Sequence, residues 1–469
     1  MSGLRITNAT LGTVTLHDPA SGVYGQLKYV LTPSEMKLTD AATNGLDDGG
    51  EASVITIPNI REAPEVYIDS GSQAALETVI RTINLLCEHA RFYQKSHAGG
   101  PVYLEYRTGD SGTWFRSEII AGWAIGQDDM LDRHMAPSGR IKITLNVLRR
   151  FYWEGAESYV TLTNQHGTNS TGLTVYNTND SNGDNFATIT TTIAGDLPAP
   201  IRLEYTNSYA SGSAQNLFVG LSAIANPAVA DVTFETSAMT LVVGSTSTAA
   251  GASYSNGSQR TWTWAGTSVQ SLGYWTIPAS LLLAGLGMWY RVFARIDTSS
   301  QAYQIRANVK IGYLTQLSVG EWATPYAQSG LVDLGAIQLP PYVRGVGAGT
   351  FTTLTLDLEV RATAGGSYSV PVDCVHLVPT ESFRMLRSTG YGLSYTSRMY
   401  DDQVLETTYA DDGAGGGIIG NYQADGSKIM LRPSRTNRLY FLVTNNLNAS
   451  EIARTGTVRV AYRPRYRML

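Results

Sequence analysis

Six aromatic residues cluster in the middle of this 469-residue sequence: Trp262, Trp264, Tyr274, Trp275, Trp289 and Tyr290. Tryptophan and tyrosine faces stack on sugar rings, and the same rings also fill sandwich cores and subunit contacts. Trp262 and Trp264 are two residues apart, so on a strand they share one face. A glycan platform is one reading of the group; core or intersubunit packing is the other. The spacing fixes no polar partners for sugar hydroxyls beside these rings, which favours packing.

Other reactive residue types form no working constellation. The histidines are His17, His89, His97, His134, His166 and His376, none paired at zinc-ligand spacing, and Cys87 with His89 on a helix would face apart. The sequence contains neither a Gly-x-Ser-x-Gly elbow nor a Gly-x-x-x-x-Gly-Lys phosphate loop. The run Asn179–Asp184 resembles a calcium loop, but aligning Gly183 with the loop glycine puts Thr178 first and Ile189 at the bidentate glutamate position. That excludes an EF-hand and leaves an Asn/Gly turn or a lone structural calcium, the turn being favoured. The carboxylate pairs Asp47–Asp48, Asp128–Asp129, Asp401–Asp402 and Asp411–Asp412 are neighbours in turn-like stretches. A glycosidase needs two carboxyls facing each other across a cleft, so these read as solvated turn residues. The expectation is no enzyme, no cofactor and no metal.

Composition points to architecture instead. Charged residues are 16% of the chain, below the roughly 25% usual for soluble domains. Gly, Thr, Ser, Asn and Tyr replace them, a mixture that suits strands joined by tight turns and surfaces taken up by neighbours in an assembly. The net charge of −5, with scattered basic residues, gives no nucleic-acid footprint. Cys87 and Cys374 each sit in an apolar run and read as buried free thiols. The sequence MSGLRITNAT lacks a signal-peptide run, and Ile277–Met288, the longest apolar stretch, is too short to span a bilayer. A soluble protein made in the cytoplasm, with no membrane insertion, is expected.

One convincing helix must position whatever the chain does. From Ser72 to about Lys95, Leu76, Val79, Ile80, Ile83, Leu86, Cys87 and Ala90 recur at three- and four-residue spacing. Asp69, Ser70 or Ser72 can cap its start, and Gly99-Gly100-Pro101 ends it. With the alternating stretches around it, residues 1–155 read as an α+β domain whose helix lies on a sheet. After Trp153-Glu154-Gly155 the sequence is strand after strand between Gly, Ser, Asn and Pro, the pattern of β-sandwiches. The fold class expected is mainly β. Residues 156–195 and 388–469 hold too few strands for separate sandwiches. Joined, they make one discontinuous sandwich with a jelly-roll-like block, 196–387, inserted between them.

The first block resembles the siphophage distal-tail family, whose fold is related to tail-tube proteins. The resemblance rests on the helix Ala75-Leu-Glu-Thr-Val-Ile-Arg-Thr-Ile-Asn-Leu-Leu-Cys-Glu-His-Ala-Arg-Phe-Tyr. It extends to Gly100-Pro-Val-Tyr-Leu-Glu-Tyr, Arg116-Ser-Glu-Ile and Arg149-Arg-Phe-Tyr-Trp-Glu-Gly. Leu431-Arg-Pro-Ser-Arg-Thr-Asn-Arg-Leu and Val458-Arg-Val-Ala-Tyr-Arg-Pro-Arg-Tyr466 are similar to the closing strands of such proteins. The middle block is similar to a carbohydrate-binding-module sandwich closed by the strand from Tyr368 to Val378. The resemblance implies a non-enzymatic virion tail protein assembled in the host cytoplasm, in a ring, usually of six, at the baseplate hub. It implies contacts with tail tube, hub or fibre proteins, passage of DNA through the ring's channel, and host-surface glycans as possible partners of the outer sandwich. The middle block is larger here than the family's outer domain often is.

Overall fold

The computed structural model describes residues 3–21, 37–40, 52–109, 112–123, 140–178, 183–222, 233–242, 245–278, 281, 289–297, 302–311, 315–325, 330–339, 354–388, 392–413, 417–445 and 454–467. The chain is mainly β, with one long α-helix among these residues. It forms two compact units: residues 1–158, 194–198 and 463–469 make the first, and 159–193 with 199–462 the second.

In the first unit, strands Gly12–His17, Gly3–Asn8, Val102–Arg107, Trp114–Trp123, Asn146–Arg149 and Ile60–Glu62 pair in that order. Leu4, Ile6, Val102, Leu104 and Ile119 point from this sheet toward Leu76, Ile83, Leu86, Cys87 and Ala90 of the helix, and together they form the core. The helix spans Gln73–Ser96; the Ser72 hydroxyl accepts from the Ala75 amide, the N-cap its sequence calls for. His97 closes it in the left-handed conformation. The Asn8 carboxamide then donates to the carbonyls of Gly99, Gly100 and Pro101, tying the helix exit to the first strand.

The helix packs tightly on the sheet at Gly122. A Cβ there would lie 2.7 Å from a Val147 methyl, 2.9 Å from the Asn146 carbonyl oxygen and 3.2 Å from the Cys87 sulfur. Burial pushes the Cys87 thiol up to about 12, so it behaves as an apolar packing group. We expect Gly122→Val to lower the stability of this unit by about 1–3 kcal/mol, as overpacking generally does. The measurement is its calorimetric transition; an unchanged melting temperature would show that the sheet and helix can part there freely.

Residues far along the chain complete this unit. Trp153–Glu154 pairs with Arg465–Tyr466, and the Gly195 and Leu197 backbones bridge to Arg465. The Glu154 carboxylate accepts from Arg116 on one side and Arg465 on the other. The segment after Tyr462, expected in the discontinuous sandwich, therefore belongs to the first unit. So do residues 194–198.

The second unit is built on one long sheet that folds back on itself. Its path runs through Thr455–Tyr462, Ala199–Asn207, Arg398–Asp402, Thr407–Asp411, Ile418–Gly426, Ser382–Ser388, Asn216–Ser222, Asn437–Thr444 and Phe186–Ile189. Leu203, Tyr205, Leu217, Val219, Phe441 and Val460 fill the space enclosed between its two halves. Ala199–Asn207 and Asn216–Ser222 hydrogen-bond along their lengths to the last long strands of the chain. The insertion boundary expected at 196 thus falls two strands before the chain leaves this sheet. Likewise, Ser382–Ser388, at the far boundary expected for the inserted block, is a strand of this sheet. In both places Pro, Arg and Ser residues suggest a connector while cross-strand pairing decides for a strand.

Between Ser222 and Ser382 the chain forms two further sheets. One orders Ser245–Ala250, Ser258–Ala265, Ser367–Pro379, Trp289–Ile296 and Gly330–Gln338; the other orders Thr240–Leu241, Gln270–Thr276, Leu354–Ala362, Tyr303–Ile311 and Thr315–Val319. They enclose a core of Val292, Ile305, Val309, Leu356, Leu358 and Val370. The first of these sheets is covered on its other face too. Phe293 lies 4.9 Å from Phe218 between ring centroids, and a Cβ on Gly220 would sit 2.4 Å from a Val378 methyl. Strands Asn216–Ser222 and Ser367–Pro379 are accordingly buried almost throughout, which explains why apolar residues occupy both of their faces. Phe186, Phe218, Tyr440 and Leu442 of the folded sheet join the core of the inserted pair.

Candidate functional site

The six clustered aromatics divide once placed on strands. Trp262 and Trp264 sit opposite Val370 and Tyr368, and both indoles are buried. Trp262 Nε1 donates to the Leu272 carbonyl at 3.2 Å, and Trp275 Nε1 to the Glu235 carbonyl at 2.7 Å. Tyr290 is buried in the same core, where desolvation raises its phenol far above its usual range. Tyr274 is half-buried on the opposite face of its strand from Trp275, and Trp289 is 50% exposed. Burial removes Trp262, Trp264, Trp275 and Tyr290 from contact with any sugar; they do not form a platform. Strand alternation gave the shared face of Trp262 and Trp264 but not which side of the sheet that face occupies.

The carboxylate pairs also separate. Asp47–Asp48 and Asp128–Asp129 lie outside the described residues. Asp401, read as a solvated turn residue, is instead fully buried. Its carboxylate takes both arms of the Arg384 guanidinium at 2.6 and 2.8 Å and a Gln403 amide at 2.7 Å. Gln403 in turn accepts from the Ile429 amide at 2.6 Å. Its neighbour Asp402 does turn work, accepting from the amides of Val404 and Leu405. Asp411 pairs with Arg398. Of the calcium-like run, Asn179–Asn182 fall outside the described residues, and the buried Asp184 accepts from the Gln165 amide. Among the described residues, no three His, Cys, Asp or Glu side chains are grouped to hold a metal. No described helix is long and apolar enough to cross a membrane.

His376 and Cys374 share a buried pocket of hydrogen bonds. His376 Nδ1 lies 3.0 Å from the Thr233 hydroxyl, and Nε2 lies 3.4 Å from the Cys374 sulfur. Burial lowers the imidazole to about 3, with Arg295 nearby acting in the same direction. It is neutral across the physiological range. Cys374 is held well above its usual range by burial first, then by Asp373 and Glu235, so it is no nucleophile.

A buried polar row lies where the sequence pointed to plain strands. On the face of the five-stranded sheet that turns away from the core, Asn308 pairs across the ladder with Asp357, and Asp357 with Tyr274. Lys310 Nζ stands 3.2 Å from Asp357 and 2.7 Å from Glu359, while Arg306 reaches Glu359 at 2.8 Å. The Ser271 hydroxyl donates to Asp357 at 2.9 Å. Burial pushes the Asp357 carboxyl up more strongly than Lys310 and Ser271 lower it. Burial opposes ionisation of Glu359 too, but hydrogen bonds from Lys310 and Arg306 outweigh it and hold that carboxyl low. The sequence signal was the alternation itself: Asn308 and Lys310 between Ala307 and Val309, Asp357 and Glu359 between Leu356 and Leu358. It does not distinguish a solvated outer face from a buried polar one.

No family model matches the sequence, and no curated protein matches it. Among solved structures, the chain is similar to the SPP1 Dit (gp 19.1) protein, described as a paradigm of the hub adsorption apparatus in phages infecting Gram-positive bacteria. The identity is 8% and the TM-score 0.36, over 99% of both chains. It is similar to a chain of the phage P2 baseplate in its activated conformation with Ca, at 8% identity and a TM-score of 0.31 over the whole of both. The infectious bursal disease virus VP2 subviral particle matches 66% of this chain and 80% of its own, at 9% identity and a TM-score of 0.17.

Proposed function

We propose that this chain is a structural protein of a phage tail, forming a ring, six-membered by resemblance, at the distal tail or baseplate hub. The observation that carries the reading is the first unit: a single capped helix laid on an antiparallel sheet, built from the segments whose sequence resembles the distal-tail family. That sheet has Gly12–His17 at one margin, paired on one side only among the described residues. An edge strand offers its backbone groups to a neighbour, and closed cyclic symmetry uses such head-to-tail contacts without producing open fibres. In this reading the first unit lines the ring, DNA passes through its channel, and tail tube, hub or fibre proteins bind its two faces. The inserted pair of sheets lies outside the ring. Assembly takes place in the host cytoplasm, and the mechanism is scaffolding without turnover.

The test is size and shape. Purified protein should run as a closed oligomer in light scattering and appear as a ring with a central hole in negative stain. A monomer at every concentration, alone and with its tail partners, would sink the reading, as would a ring with the inserted sheets at its axis. A second reading gives the inserted sheets a part in attachment to host-surface glycans. It rests on the resemblance of that block to a carbohydrate-binding-module sandwich, not on the tryptophan group.

A further inference from the structure

We propose that the outward face of the helix Gln73–Ser96 docks on the same helix of a second copy of this chain, the two packed antiparallel about a two-fold axis. Ala75, Thr78, Thr82, Leu85, His89 and Phe92 follow one another in alternating steps of three and four residues. They form a second stripe along the helix, on the side turned away from the sheet. The stripe contains no Asp, Glu, Lys or Arg, and its two large apolar members stand in solvent, Leu85 at 54% and Phe92 at 56% exposure. Its polar atoms are satisfied within the unit. The Thr78 and Thr82 hydroxyls donate to the Ala74 and Thr78 carbonyls at 2.9 and 2.8 Å, and His89 Nε2 lies 3.1 Å from the Gly100 carbonyl oxygen. What the stripe offers outward is therefore mostly carbon, whose burial is favourable.

The gradation of size along the stripe picks the occupant. Ala75, Thr78 and Thr82 are small and lie toward the helix start; Leu85, His89 and Phe92 are large and lie toward its end. Two copies laid antiparallel set Phe92 against Ala75, His89 against Thr78 and Leu85 against Thr82, a large side chain over a small one in every layer. A parallel pair would crowd large on large at one end and leave gaps at the other. Charge agrees with the same register. Arg81 and Glu88 are both exposed on one flank of the stripe, and antiparallel packing brings Arg81 of each copy beside Glu88 of the other. The two-fold axis repeats each of these contacts, so the surface is complementary to itself. Opposed helix dipoles favour the arrangement too. A helix of 24 residues is about 36 Å long, so the contact covers less than the ~800 Å² per partner of a standard interface and is weak in isolation. It is separate from the edge-strand contact assigned to the ring.

The test uses two variants of the full chain, Thr82→Cys and Leu85→Cys, mixed and oxidised with diamide. Cys87 and Cys374 are buried and do not compete. Both substitutions sit on the outward face, so each variant should melt as wild type does. We expect the mixture to form disulfide-linked dimers at least fivefold faster than either variant alone, because only the mixture sets position 82 opposite position 85. Arg81→Glu added to both variants should slow linkage at least fivefold, and Glu88→Arg added on top should restore it. Leu85→Cys linking alone as fast as the mixture overturns the antiparallel register. Absence of linkage, or linkage indifferent to the charge reversals, overturns the docking of two copies. So does linkage to another tail protein in place of a second copy. Negative-stain images of Leu85→Asp keep this contact apart from the ring: rings of the wild-type size should persist, and their loss would make the stripe a ring contact and overturn the two-fold pairing. The linkage result stands whether or not the wild type forms rings, so the two readings fail separately.

Discussion

Asp401→Ala should destabilise the second unit by about 3–5 kcal/mol, because it strands the Arg384 guanidinium without its partner in a buried site. The carboxylate is the hub of a network between the two halves of the folded sheet. Arg384 comes from Ser382–Ser388, Asp401 from Arg398–Asp402, and Gln403 carries the connection on to the Ile429 backbone. In calorimetry the second unit's transition should fall by roughly 10 °C, at about 2–4 °C per kcal/mol for a domain of this size. Asp401→Asn keeps an acceptor for one arm of the arginine and should cost less. Equal melting for Asp401→Ala and wild type would show that water reaches Arg384 and that the site is not dry.

The second large effect is expected at Ile83. It lies at the centre of the helix face that packs on the first sheet and is fully buried among Leu4, Leu86 and Ile119. Ile83→Asp places an unpaired carboxylate there, a cost of several kcal/mol that this unit's single core cannot absorb. Soluble yield should collapse, or the first unit's transition should vanish while the second's remains. Leu85→Asp is the control. Two residues on, Leu85 turns to solvent and is 54% exposed, so this variant should fold normally. If both variants behave alike, the helix does not dock as described.

The helix was legible in the sequence almost to the residue, because an apolar stripe, a serine cap and a Gly-Gly-Pro stop all agree over one segment. One strand of the inserted sheets was legible for the same reason; Tyr303–Ile311 alternates cleanly. Partnership between distant segments was not. Nothing local tells Ser382–Ser388 that its neighbours are Asn216–Ser222 and Ile418–Gly426. The same blindness hid burial. Trp262 and Trp264 stood out by residue type and proved to be core. Asp401 looked like half of a turn pair. Its burial follows from a strand 17 residues away closing over it, which no spacing rule carries.

The pairing of Trp153–Glu154 with Arg465–Tyr466 bears on how force travels through this chain. Gly3–Asn8 and Arg465–Tyr466 lie in one sheet, linked through Val102–Arg107, Trp114–Trp123 and Trp153–Glu154. Tension applied between Gly3 and Tyr466 is therefore carried across five adjacent strands of the first unit, and the roughly 300 residues threaded between them are shielded from the pull. The same closure sets a clock during synthesis. The ribosome must release the stretch after Tyr462 before Trp153–Glu154 can gain its partner, so the first unit closes only after the second has been synthesised.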